Sequence, residues 1–329
     1  MECKRQSNFE LLRIFSMMLI LVHHQICHGI PSSSSIVFLA TDSFAIIGVD
    51  LFLLISGFFR IKLTWKSFLN LVFICMFYKV VHICVDTFIF GIHHPLYEWA
   101  LKPIFVVSRS GGWFVQIYFM LMFISPLLNK ALDNLSEKEW RLSLFLLSFI
   151  SFYLGWALHN YNDDAGYTLM NFVYIYVVGA VIKHYELLKR NNMKWLLGLL
   201  LFGTGITFVG MILKATINFP MSFTAYNSPF VVLTACAVFC LFGKLRIQKS
   251  WINKVAMSVL PVYLLTDGGN LSKLFYQWAG GIADVYPSHY AIIIFIAVAV
   301  GLIVFIALFD QIRLRIWLYL TNIFPKNLR

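Results

Sequence analysis

Charged side chains are scarce in this sequence: Asp, Glu, Lys and Arg make up 12% of its 329 residues, about half of the roughly 25% found in a soluble globular domain. A water-soluble fold of this length has to cover most of its surface with polar groups, so the shortage excludes one. Cysteine is sparse too. The six, Cys3, Cys27, Cys75, Cys84, Cys236 and Cys240, have neither the pattern of a disulfide framework nor that of a zinc knuckle, so no metal site is expected. All but Cys3 fall inside apolar segments, and the four-residue spacing of Cys236 and Cys240 suits small packing residues on a hydrophobic helix. Lys and Arg outnumber Asp and Glu, 26 to 15, but they lie between apolar runs, not along a stripe interleaved with aromatics, which excludes nucleic acid as a partner. Internal repeats and inverted pairs of broken apolar helices, frequent in alternating-access transporters, are also missing.

What is present is apolar: 60% of the residues are hydrophobic, with 32 Phe, 15 Tyr and 9 Trp. About ten segments are long enough to span a bilayer as helices. They run over residues 9–28, 36–59, 68–90, 112–130, 141–158, 168–184, 195–214, 228–243, 252–267 and 290–309. Backbone polar groups in lipid are satisfied only within helices or in a closed barrel. The runs lack the alternation of barrel strands. The expectation is an all-α, polytopic membrane bundle, a single domain over residues 1–329 in contact with membrane lipids. The first apolar stretch follows Lys4 and Arg5 without a clear small-x-small cleavage site, and so reads as a retained helix and not a signal peptide. Placing the N-terminus inside puts twenty of the 26 basic residues on one face and leaves Lys102, Arg109, Lys214 and Lys273 on the other, with Arg13 and Lys79 within helices. Such a positive-inside bias puts both termini in the cytoplasm. The outer connections are too short for an independent domain, so the working parts must lie in the bundle and its loops.

Polar groups at membrane depth locate those parts. Arg13 and His24 are eleven residues apart on the first helix, which is about 16 Å of rise and nearly three full turns, so they share a face. A cation at one end of a stripe and an imidazole at the other is costly in lipid. The structural alternative is that Arg13 snorkels to lipid phosphates while His24 reaches the outer interface. Asp50, on the second segment, falls at a similar depth, where an unpaired carboxylate is expensive and His24 is an available partner. Such a pair can act chemically. His24 would take a proton from an attacking hydroxyl, and Asp50 would hold the imidazole's tautomer. His23 competes for the role of base. Lys79, His82 and Asp86 follow at i, i+3 and i+7 on one face of the third helix, as a neutralised structural network or as part of a water-accessible interior.

These residues carry a resemblance to the acyltransferase family 3 membrane proteins, which modify surface polysaccharides, lipid-linked sugars and related molecules. It begins at Glu10-Leu-Leu-Arg13 with its Arg-x10-His spacing to His24. It continues through Gly48-Val-Asp-Leu-Phe, Ile55-Ser-Gly57, Trp113-Phe-Val-Gln-Ile-Tyr-Phe and Ser125-Pro-Leu-Leu-Asn129. Tyr226-Asn-Ser-Pro-Phe230, Val262-Tyr-Leu-Leu265 and Asp310-Gln-Ile-Arg313 complete it. The resemblance implies acetyl-coenzyme A or another acyl-coenzyme A as donor, an O-acyl ester as product, His24 as catalytic histidine and Arg13 as a donor-side cation. The connection holding Arg60, Lys62 and Lys66 is expected to bind nucleotide phosphates, and an inside-facing topogenic cluster accounts for it equally well. Two departures concern the acceptor. Where many relatives have Tyr-Leu-x-His, this chain has Tyr263-Leu-Leu-Thr266-Asp267, and Gln116 and Tyr118 stand where some polysaccharide-modifying relatives have a glutamate.

The expected activity is therefore transfer of an acyl group, acetyl first, from cytoplasmic acyl-coenzyme A to a hydroxyl of a glycan, lipid-linked sugar or small acceptor. The expected location is the bacterial cytoplasmic membrane. A transporter or exporter of a charged or sugar-containing substrate would use Arg13, Lys79 and Asp50 as its path, and an inactive binding partner would retain the scaffold alone. Neither the acceptor nor the oligomeric state is legible in the sequence.

Overall fold

The computed structural model describes residues 5–31, 35–105, 112–159 and 164–323, and among them every regular element is helical. Each of the ten apolar segments is helical over most of its length. Seven helical stretches are long and apolar enough to cross a membrane, among them α1 (Ser7–Gly29), α4 (Trp65–Phe88), α6 (Trp113–Asp133) and α10 (Met193–Ile217). Two further apolar helices, α8 (Leu169–His184) and α11 (Pro229–Gly243), are shorter, at 16 and 15 residues. Large apolar side chains such as Leu127, Leu201, Phe305 and Leu308 stand at least 66% exposed on the outer helices. They form a lipid-facing surface that water would not tolerate. The chain is a multi-pass membrane protein.

Several spans are broken where the sequence suggests continuity. The 36–59 segment is two helices, α2 (Ile36–Ala45) and α3 (Gly48–Phe59), joined by a turn at residues 46–47. The 252–267 segment is α12 (Ser250–Ala256) followed by α13 (Val259–Thr266). Residues 91–111, expected to be connection, include the short α5 (Leu96–Ile104). Residues 268–289, also expected to be connection, hold α14 (Gly269–Val285), an amphipathic helix entered through Gly268 and Gly269 at φ 104° and 72°. That left-handed backbone suits glycine, which has no Cβ to clash. Helix α7 (Glu137–Ser148) starts with a capping box in which Ser136 and Glu139 satisfy each other's backbone amides, and it continues as π-helical turns over Phe149–Ala157. The last apolar span, α15 (Ser288–Phe309), turns at Asp310 into α16 (Gln311–Ile323).

Helix α1 is the centre of the bundle, with 72% of its most apolar window buried against 22% for α4. It packs on α2, α3 and α11 through α15. Close approach around it depends on residues without side chains. A Cβ on Gly48 would stand 2.8 Å from the Ser16 carbonyl oxygen, so α3 can lie directly on α1. At the α3–α8 crossing, a Cβ on Gly57 would stand 2.0 Å from the Tyr176 carbonyl oxygen and one on Gly179 2.4 Å from that of Leu54. Small residues at both contact points bring the two backbones together, as is usual in membrane helix packing.

Candidate active site

A cavity of about 860 Å³ opens between α1, α3, α4, α6, α13 and α16. Its basic mouth is formed by Arg5, Arg13, Arg60, Lys62 and Arg315, with the buried Arg313 in the wall beside them, and the rest of the wall is apolar and includes Met17, Ile20, Val49, Phe52, Phe114 and Tyr263. Arg13, Arg60 and Lys62 thus line one cavity. Lys66 is exposed on the first turn of α4 and is not among the lining residues. It lies two positions past the capping residue Thr64, on a face turned away from the cavity, whereas Ser67 lines it. Arg5, Arg313 and Arg315 were counted only as topogenic charge. For Arg313 the available signal was its place in the Asp310-Gln-Ile-Arg313 landmark.

The basic strap at Arg60–Lys62 is held in an unusual backbone conformation. Arg60 has φ 62°, in the left-handed region that costs a branched-free but Cβ-bearing residue about 1–3 kcal/mol. Three bonds fix the turn: the Ile61 amide donates to the Tyr176 hydroxyl at 2.9 Å, Asn129 Nδ2 donates to the Ile61 carbonyl at 2.8 Å, and Tyr176 donates to Asn129 Oδ1 at 2.6 Å. Arg60 itself reaches Asn129 Oδ1 at 3.4 Å and Asp133 at 3.9 Å. Backbone strain maintained by a dedicated network is a common mark of a ligand clamp. Across the mouth, Arg13 pairs with Glu10 at 3.5 Å and remains 38% exposed into the cavity.

Arg313 is held differently. Asp310 is completely buried and accepts Arg313 Nε and Nη2 at 2.6 Å each, the Tyr78 hydroxyl at 2.6 Å and the Ser258 hydroxyl at 2.7 Å. One carboxylate therefore ties α4, the break between α12 and α13, and the start of α16 into the cavity wall.

On α1, Arg13, Met17 and Ile20 all line the cavity, and His24 is the next position on that stripe, one turn beyond. Its Nδ1 has no hydrogen-bond partner among the described residues, and its ring neighbours are His23, His28 and Tyr276. The expected pairing of His24 with Asp50 is not formed. Asp50 is completely buried, and neither of its oxygens has a hydrogen-bond partner among the described residues. The reason is helix phase. Val49 and Phe52 face the cavity, which turns Asp50 between them toward α8 and α11. The carboxylate–imidazole pair that does form is His23 with Asp42, at 2.6 Å between Nδ1 and Oδ1, both buried. The sequence offers His23 as the competing base and holds no sign of Asp42, whose approach depends on the break between α2 and α3.

Lys79, His82 and Asp86 line a second cavity of about 70 Å³ with Gly112, Asp267, Gly268 and Gly269. His82 Nε2 donates to the Leu264 carbonyl at 2.7 Å, and Asn270 donates to Asp86 at 2.9 Å. The partition between the two cavities is thin: a Cβ on Gly112 would stand 2.4 Å from the Tyr263 hydroxyl, in the larger cavity, and 3.1 Å from Asp267 Oδ2, in the smaller. Beside the small cavity, Lys102 and His94 hydrogen-bond Glu98 and hold its carboxyl below the usual range. Trp113 stacks edge-on with Tyr167 and packs on Tyr226 and Phe172, so it shapes the start of α6.

A helical membrane bundle enclosing a cavity with cations at its mouth and apolar side chains along its wall defines the class, a multi-pass membrane protein with an internal cavity. Within that class the chain belongs to acyltransferase family 3, whose acyltransferase domain matches residues 6–309. No curated protein and no solved structure matches it. The protein is a membrane acyltransferase.

Proposed function

We propose that the chain, with both termini cytoplasmic, moves an acetyl group, or another short acyl group, from cytoplasmic acyl-coenzyme A to a hydroxyl of a glycan, lipid-linked sugar or small acceptor. The observation that carries this reading is the line from the basic rim of the large cavity, along Arg13, Met17 and Ile20, to His24. An acyl-coenzyme A has this shape: phosphates at one end, a narrow arm, and a thioester at the other. Arg13, Arg60 and Lys62 hold the phosphates, with Arg313 and Arg315 beside them. The apolar shaft takes the arm and positions the thioester by the orientation of its phosphate anchor. His24 removes the acceptor hydroxyl's proton as oxygen attacks the acyl carbon, and the departing coenzyme A thiolate recovers a proton from the imidazolium. The acceptor enters through the small cavity past Asp267 and Tyr263.

The test is turnover of labelled acetyl-coenzyme A in membrane vesicles carrying the parent, His24→Ala or Arg13→Ala. His24→Ala is expected to lower acyl incorporation by about 100-fold or more. Arg13→Ala is expected to raise the donor concentration needed for half-maximal rate without an equal fall in the maximal rate. Full activity of a folded His24→Ala protein would refute the base assignment. Loss on His23→Ala or Asp42→Asn would then transfer the role to the oriented His23.

A further inference from the structure

The outer end of α1 holds more chemistry than direct transfer uses. His23, His24, Cys27 and His28 occupy its last two turns. Cys27 follows His23 by four residues, one turn on along the same face of α1, and His28 adjoins it in the chain. His23 donates Nδ1–H to Asp42, which leaves Nε2 as the ring nitrogen free to act on the thiol. Thiol, imidazole and carboxylate in that order form the arrangement that activates a nucleophile: a base within reach of it, and a third group that orients the base. We propose that Cys27 carries the acyl group as a thioester between donor and acceptor. The proposal rests on the acyltransferase reading above and extends it to two half-reactions.

Position supports it. Arg13, Met17, Ile20, His24 and Cys27 succeed one another at intervals of four, three, four and three residues, a single helical stripe leading out of the cavity. Cys27 lies about 21 Å along the axis from Arg13. Side chains tilt toward the helix N-terminus, so the thiol stands over the turn that bears His23 and His24. It is partly accessible, as are Cys84 and Cys236, whereas Cys75 and Cys240 are buried. His24 has a free Nδ1 on the same surface, flanked by His28 at 5.4 Å and Tyr276 at 6.4 Å between ring centroids.

In the first half-reaction, His23 Nε2 accepts the Cys27 proton as sulfur attacks the acyl carbon of acyl-coenzyme A. The bond from acyl carbon to coenzyme A sulfur breaks, and the leaving thiolate takes the proton from His23, giving acyl-Cys27 and free coenzyme A. In the second, His24 accepts the proton of the acceptor hydroxyl as its oxygen attacks acyl-Cys27. The bond from acyl carbon to Cys27 sulfur breaks, the ester is released, and the Cys27 thiolate recovers a proton from His24. One thioester replaces another in the first step, so no external energy source is required. Two histidines at adjacent positions thereby serve two different steps. Coenzyme A can also withdraw toward the basic rim before the acceptor occupies the far side.

The experiment uses the full-length protein in detergent with [14C]acetyl-coenzyme A and no acceptor, followed by acid quench and mass-spectrometric peptide mapping. The expected result is a stoichiometric burst of coenzyme A and a hydroxylamine-labile acetyl group on the Cys27 peptide. Cys27→Ala and His23→Ala are expected to lose the adduct while still binding coenzyme A, and Cys27→Ala to lower acyl incorporation in vesicles by about 100-fold or more. Mapping on the parent decides the matter even where a variant fails to fold: label elsewhere, or none while vesicles still acylate, overturns the relay. Incorporation by Cys27→Ala within about threefold of the parent overturns it and leaves the acyltransferase reading intact. If the parent neither forms an adduct nor consumes acetyl-coenzyme A in vesicles, both readings fall together.

Discussion

Removing the negative charge at Asp310 should destabilise the protein more than removing the whole ion pair. Asp310 and Arg313 are 0% and 1% exposed, and the carboxylate accepts four hydrogen bonds of 2.6–2.7 Å from Arg313, Tyr78 and Ser258. In Asp310→Asn the amide keeps one acceptor oxygen but turns an NH2 group toward a guanidinium that has lost its counter-ion. Leaving one member of a buried pair alone costs about 3–5 kcal/mol, chiefly as uncompensated burial of the remaining charge. The desolvation cost disappears when both charges go. Asp310→Val with Arg313→Met, and with Tyr78→Phe so that only the Ser258 hydroxyl loses its acceptor, should recover much of that loss. The assay is the fraction of detergent-solubilised protein that stays monodisperse after heating over a temperature series, read by size-exclusion fluorescence. The single variant should fall at a clearly lower temperature than the parent, with the triple variant between them. If Asp310→Asn matches the parent, or the triple variant is the least stable of the three, the pair is not what secures α16 to α4 and α13. Because Arg313 also lines the cavity wall, the triple variant should bind donor more weakly despite its partly restored stability. Stability and donor affinity are thereby separated in one protein.

Two other substitutions probe the same framework. Gly57→Ala puts a methyl group 2.0 Å from the Tyr176 carbonyl oxygen; the α3–α8 crossing must open, at a cost of about 1–3 kcal/mol or more, seen as a lower denaturation temperature, and an unchanged one would mean the helices are not packed as closely as described. Asn129→Leu removes the side chain that bonds both Tyr176 and the Ile61 carbonyl, so the Arg60–Lys62 strap relaxes from its left-handed turn; the KM for acyl-coenzyme A should rise about tenfold with kcat little changed, and an unaltered KM would detach the strap from donor binding.

Much of the bundle could be read from hydropathy because lipid imposes one rule on every residue of a span. The exceptions are instructive. Helix α14 looked like a connection because its apolar residues, among them Phe275, Trp278, Ala279 and Ile282, are interleaved with polar ones and dilute any window average. Its packing against α1, where a Cβ on Gly29 would meet Ala279 at 2.8 Å, is a tertiary event with no local signature. The Arg13–His24 stripe was legible because both residues lie on one unbroken helix, where spacing fixes direction. The partner of the histidine was not. It lies across a helix boundary, and a turn at residues 46–47 changes the phase of everything that precedes it. Sequence spacing therefore suggested Asp50 for His24, while the fold presents Asp42 to His23.

The basic residues show a different limit, because one sequence feature here serves two physical purposes. Cations beside apolar runs set orientation in the bilayer through their number and position alone. The phosphates of the proposed donor would require cations too, on the side from which it enters, but in a defined geometry. The requirement for one hides the signal for the other, and nothing in the sequence separates Arg60 and Lys62 from Lys66. The structure separates them by backbone: Arg60 and Lys62 precede the Thr64 cap and are drawn over the cavity by Asn129 and Tyr176, while Lys66 falls after it on an exposed helix face. The contrast predicts unequal effects of equal charge removal. Arg60→Gln and Lys62→Gln, each made singly, should weaken donor use, measured as kcat/KM for acetyl-coenzyme A, by up to about tenfold. Lys66→Gln should leave it unchanged, since all three changes alter the topogenic balance alike. Equal losses from all three would mean that the strap acts only through its net charge and that the cavity rim does not bind the donor at all.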